Sequence, residues 1–147
     1  MSNDGDRRRV LASDIGLLFL RVTAPLMLAA GHGYSKLANL GTLSATFADP
    51  LGIGSTASLA LTIFGELFCS LLVVIGLGTR VAAIPPLITM LVATFLVHTH
   101  DPWAKKEFAL LYAIPFATLA LTGAGRFSLD AILGPRLAAR LAGRRAQ

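Results

Sequence analysis

"TASLALTIFGELFCSLLVVIGLGTRVAAIPPLITMLVATFLV", Thr56 to Val97, decides the fold. Its first half, Thr56 to Leu77, is apolar apart from Glu66 and a few small hydroxyl residues. At about 1.5 Å per helical residue it is long enough to cross the roughly 30 Å hydrocarbon core of a bilayer. "GLGTR", Gly76 to Arg80, leaves room only for a tight turn. The chain then runs apolar again from Val81, with Pro85 and Pro86 near the start, where a helix loses least by lacking an N–H donor. A soluble bundle would need polar faces at the helical period, and this stretch has too few polar residues to build them.

Two further spans flank this pair. The first follows Arg7, Arg8 and Arg9, with Ser13 or Asp14 expected as its N-cap, and runs apolar from Ile15 before continuing amphipathically. Arg7 to Arg9 ahead of an apolar run resembles a signal peptide, yet Arg21 interrupts that run, so a retained anchor is expected. The last span begins near Glu107, carries Pro115 as an expected kink, and stops at "GAGR", where Gly123 or Gly125 can cap it. The expected architecture is all-α: a four-transmembrane-helix bundle with a short basic amphipathic C-terminal helix. The spans lie at about 15–38, 56–77, 81–98 and 107–123 of a single integral membrane domain covering 1–147, with a basic tail at 126–147. Composition agrees, with 54% hydrophobic and only 14% charged residues, against roughly 25% charged in a soluble domain.

Charge sets the expected orientation. If four helices cross, Arg7, Arg8, Arg9, Arg80, Arg126, Arg136, Arg140, Arg144 and Arg145 fall on one side, against Lys36, Lys105 and Lys106 on the other. That asymmetry places both termini in the cytoplasm, with the chain in a bacterial-type inner membrane. Arg136, Arg140 and Arg144, four apart beside Leu137 and Leu141, should lie on the anionic leaflet. The net charge of +5 is thus accounted for at the ends of apolar segments, and no nucleic-acid partner is expected. A single cysteine, Cys69, leaves no internal disulfide or CxxC pair, and it reads as a small buried apolar residue.

With that topology His32, His98 and His100 gather at the outer ends of the first and third spans, in one layer with Lys36, Asp101, Lys105, Lys106 and Glu107. His98 and His100 point nearly opposite ways on a helix, whereas His32 and Lys36 share a face. Three readings are open: an interfacial girdle with Trp103, a quinone-headgroup or redox-partner site, and a metal or haem site using His32, His98 and His100. Deeper down, Glu66 is an intramembrane acid, expensive unless it is neutral, paired or facing a cavity. Arg21 has a long side chain that could reach toward that depth, and Pro25 frees its carbonyl, so Arg21 and Glu66 are expected to pair. Thr62, Cys69 and Ser70 extend the polar stripe of Glu66 along one face, expected to look into the bundle. The pair can serve as a register-fixing ion pair or as a proton-carrying catalytic group.

"LMLAAGHGYSKL", "GELFCSLLVVIGLGTRVAAIPPLITMLVATFLVH" and "GAGRFSLD" together resemble the DoxX family of small four-helix membrane proteins, over roughly residues 12 to 132. The resemblance implies membrane-associated redox work. It also selects His32, Gly33, Lys36, Glu66, Gly76, Thr79, Arg80, His98, Gly125, Ser128 and Asp130, of which His32, Lys36, Glu66 and His98 are chemically suited to a site. Paired cysteines found in some related redox-associated proteins are missing, which argues against a thiol relay within the chain. The expectation is a redox-associated subunit that hydrogen-bonds a quinone carbonyl through His32, Lys36 or His98, with Glu66 and Arg21 beneath, and docks a redox protein. A non-catalytic anchor or assembly subunit is the alternative, and a metal- or haem-handling protein a third. A homo-oligomer is left open.

Overall fold

The computed structural model describes residues 4–134, which are mostly helical, with no strand among them. Helix α1 spans Asp4–Ala38, α2 is a single turn at Leu40–Leu43, α3 spans Ser55–Ile75, α4 Thr79–Val97 and α5 Trp103–Thr122. Helices α1, α3 and α4 are long and apolar enough to cross a membrane. Helix α5 has 20 residues and carries Lys105, Lys106 and Glu107 in its first turns.

Each long helix packs against two others, α3 and α5 against α1 on one side and against α4 on the other, closing a ring. Small residues let them approach: Ala82, Ala83, Ala109 and Ala113 sit in the core beside Leu28, Val73, Phe116 and Leu119. Gly33 marks a close approach of α1 and α3, since a Cβ there would lie 2.8 Å from the Leu67 backbone nitrogen and 2.9 Å from the Glu66 carbonyl carbon. The outside of the ring is apolar, with Phe19, Met27, Val81, Phe95 and Leu121 among its exposed residues, as a lipid-facing surface requires.

The expected N-cap is corrected. Helix α1 starts at Asp4, with Asp4 and Asp6 in its first turn, where acidic groups complement the helix dipole. Asp14 lies mid-helix and buried, because its Oδ1 accepts the backbone N–H of Arg126 at 3.1 Å. At the far end of the chain Ser128 does cap a helical stretch at 129–134, its Oγ accepting the Ala131 N–H at 3.2 Å. Arg136, Arg140, Arg144 and Arg145, and with them most of the expected amphipathic tail, lie outside the described residues.

The α3–α4 turn is fastened to the segment after α5. Gly76 and Gly78 take φ values of +74° and +59°, open to glycine at no steric cost. Asp130 accepts the N–H groups of Gly78 at 2.7 Å and Thr79 at 2.9 Å, and its own N–H donates to the Gly76 carbonyl at 2.8 Å. This satisfies donors at the start of α4 that have no partner in their own helix. Gly76, Thr79, Ser128 and Asp130 are therefore fold-setting residues.

Helices α1, α3 and α4 each contain one widened π turn, at Ala29–Gly33, Phe64–Cys69 and Ala93–Val97. The Tyr34, Ser70 and His98 N–H groups accordingly bond five residues back, to Ala29, Gly65 and Ala93. Such single-turn bulges concentrate at functional sites, and these hold or adjoin His32, Glu66 and His98.

Candidate functional site

Side chains on a helix lean toward its N-terminus. On α1 that rule turns Lys36 back into the bundle, and on antiparallel α3 it turns Glu66 up to meet it. The two form an ion pair, Lys36 Nζ to Glu66 Oε2 at 2.6 Å, with side chains 20% and 5% exposed. The same rule carries Arg21 away from Glu66, and the expected Arg21–Glu66 pair does not form. The Arg21 guanidinium instead donates to the Val74 carbonyl at 2.7 Å and to the Phe127 carbonyl, 3% exposed at the opposite end of the bundle. Arg21 fastens the end of α3 to the segment after α5, and it is not among the described residues that line the cavity described next.

Lys36 and Glu66 border a cavity of about 360 Å³ at the other end, within the range of small-molecule sites. His32 and His98 line it too, so the four residues expected to bind a cofactor converge on one space. Most of the remaining wall is apolar: Leu28, Phe47, Leu61, Ile88, Val97 and Phe108 contribute, together with Tyr112. His32 packs against the rings of Phe108 and Tyr112, with centroids 5.5 and 5.8 Å away. His100 is exposed on the loop beyond His98, apart from the cavity. Among the described residues no three His, Cys, Asp or Glu side chains come together as a metal-binding group. Cys69 is buried.

At the cavity mouth His98 Nδ1 lies 2.7 Å from Asp101 Oδ2, and Lys105 Nζ lies 3.4 Å from the same oxygen. These contacts, the His98 hydrogen bond foremost, hold the Asp101 carboxyl below its ordinary range. The 44–54 loop covers the other side and places Phe47, Pro50, Leu51 and Ile53 in the wall. Asp49 ties that loop together, accepting from the Ser58 hydroxyl at 2.7 Å and from the Gly54 and Ile53 N–H groups at 2.7 and 3.0 Å. The Ser58 bond first, then the backbone bonds, depress its pKa. A carboxyl depressed on folding stabilises above its unfolded pKa, about 3.9, and loses that contribution as pH falls through the folded value. The stability advantage of wild type over Asp49→Asn is therefore expected to be constant near neutrality and to vanish below about pH 4, as followed by unfolding in detergent.

Tyr112, Phe108 and Asp49 were not singled out from the sequence, and Asp101 was placed in the outer layer without a role of its own. Phe108 and Tyr112 are four apart on one helical face, a readable signal; the loop contacts of Asp49 leave no such periodic trace.

An all-helical membrane protein with a buried ion pair beside an apolar cavity is the class that this fold and site define. A family model for DoxX matches residues 16–99, more than half of the chain, and the chain belongs to the DoxX family. The match holds His32, Lys36, Glu66 and His98 and ends before Asp101 and α5. No curated protein and no solved structure matches the chain.

Proposed function

We propose that this chain is a four-span membrane protein, with both termini cytoplasmic, whose cavity takes the ring of a membrane quinone for exchange of electrons with a docked redox protein. The observation that carries the reading is the Lys36–Glu66 pair, nearly withdrawn from water yet bordering an otherwise apolar, ring-sized space beside two histidines. Apolar walls suit a flat hydrophobic ring, and a small number of placed polar groups suit its oxygens. Lys36 is a charged donor for a carbonyl oxygen, and among the described residues its ammonium bonds only Glu66, so N–H groups remain for a ligand. Leu61 and Ile88 line the cavity and are also half-exposed on the outside of the ring, on α3 and α4. That placement supports approach from the lipid, with an isoprenoid tail left among the acyl chains.

Binding of duroquinone to the purified protein in detergent tests the reading. Lys36→Met is expected to weaken it roughly ten- to a hundredfold, as loss of a charged hydrogen bond does, and His100→Ala to leave it unchanged. Wild-type protein that binds no quinone would favour the non-catalytic anchor. Orientation is tested separately, by single cysteines in a Cys69→Ala background. Those at Asn39 and Pro102 should react with an impermeant maleimide in intact cells and one at Asp4 should not; the reverse pattern would invert the topology.

A further inference from the structure

The His98–Asp101 contact decides which hydrogen-bonding partner the cavity offers. A carboxylate only accepts, so the hydrogen between Nδ1 and Oδ2, 2.7 Å apart, belongs to the imidazole. In a neutral ring with its hydrogen on Nδ1, Nε2 carries a lone pair and no hydrogen. Asp101 is kept ionised by this bond and by Lys105, so it holds the ring in that form. His98 lines the cavity; its Nδ1 is committed to Asp101 in the loop, and among the described residues Nε2 has no hydrogen-bond partner. The sequence suggested that His98 donates to a quinone carbonyl; a neutral His98 held this way cannot, because both atoms would be acceptors.

We propose that Asp101 is a positioning residue that fixes His98 with its hydrogen on Nδ1, so that the cavity presents a proton acceptor at Nε2 and selects the hydroxyl-bearing, reduced form of its ring ligand. The inference rests on the quinone reading above and adds the redox form to it. A hydroquinone donates one O–H to Nε2, and its other oxygen, which keeps lone pairs, accepts from Lys36. An oxidised quinone has only acceptors; it keeps the Lys36 bond and sets an oxygen lone pair against Nε2. The preference follows from that one contact, a hydrogen bond for the quinol and a meeting of lone pairs for the quinone, at a side chain 30% exposed. The hydroxyl hydrogen remains on the ligand oxygen while it is bound; no electron moves in this step.

Duroquinol and duroquinone, both without a tail, are the probes, with binding measured anaerobically on the full chain in detergent. Wild type is expected to bind the quinol about five- to tenfold more tightly than the quinone. Asp101→Ala frees the ring to exchange tautomers, so that Nε2 can also donate to a quinone oxygen; the ratio should come close to one, with quinone bound several-fold more tightly and the quinol more weakly. Asp101→Glu, which keeps a carboxylate, should retain part of the preference. Nitrogen-15 shifts of labelled His98 should show hydrogen on Nδ1 in wild type and a mixture in Asp101→Ala, a readout that a loop-stabilising role alone would not move. Equal binding of the two forms by wild type, or a ratio untouched by Asp101→Ala, overturns this inference and leaves the quinone reading standing. Binding of neither form overturns both.

Discussion

Lys36→Met alone is expected to destabilise the protein by roughly 3 kcal/mol, and adding Glu66→Leu to it should restore most of that loss. The Glu66 side chain is 5% exposed and its partner lies at 2.6 Å. Removing Lys36 strands a carboxylate in an apolar wall, and breaking a buried pair by one partner commonly costs about 3–5 kcal/mol. The low end is appropriate because Lys36 is 20% exposed, which already weakens the pair through solvent. Glu66→Leu alone should be milder, since Lys36 stands near the end of α1 and can swing its ammonium to water. Replacing both removes the charges together, which is often close to neutral. Unfolding in detergent for the two singles and the double gives the coupling directly; additive losses would show that the pair does not act as a unit.

Arg21→Leu should cost a similar amount, about 3 kcal/mol, for a different reason. Its guanidinium holds two main-chain carbonyls, Val74 at 2.7 Å and Phe127, in a place with almost no water. Leucine leaves both acceptors unsatisfied, at roughly 1–3 kcal/mol each, offset in part by relief of the buried charge. Arg21→Lys should not rescue, because a point-like ammonium lacks the planar fork that spans two acceptors. Packing around the site adds to the demand: a Cβ on Gly76 would lie 2.5 Å from Arg21 Nη1. Quinone binding should be untouched, since Arg21 is 15 residues before Lys36, about 22 Å along α1. Full stability in Arg21→Lys would mean that one carbonyl contact is enough.

The two charged groups at depth also show how far the sequence could be read. The apolar runs and the glycine turn gave the all-helical class and the long helices α1, α3 and α4 directly, because length and hydropathy are properties of the chain alone. His32, Lys36 and His98 were legible as one layer from the level of the span ends, whereas Glu66 was read as deeper and joined them only through the family resemblance. Pairing was read wrongly because the reach of the Arg21 side chain was taken toward Glu66 without regard to its lean. Side-chain lean sends Arg21 toward the start of α1 and Lys36 toward its middle, and that rule, applied to the sequence, already favours Lys36 as the partner of Glu66. The π turns, the Asp130 clasp on Gly78 and Thr79, and the Asp49 loop depend on contacts between distant segments. No local periodicity records them. The N-cap expected at Asp14 failed likewise, because its acceptor role is filled by Arg126, 112 residues later.

Photolabelling with an azido-substituted quinone, followed by mapping of the modified residues, tests most directly whether the cavity is a quinone site. The label should fall on cavity residues such as Phe108, Tyr112, His98 and Phe47, should be displaced by excess duroquinone, and should disappear from them in Lys36→Met. Label spread over the lipid-facing Phe19, Phe95 and Leu121, with no displaceable fraction in the cavity, would contradict the assignment.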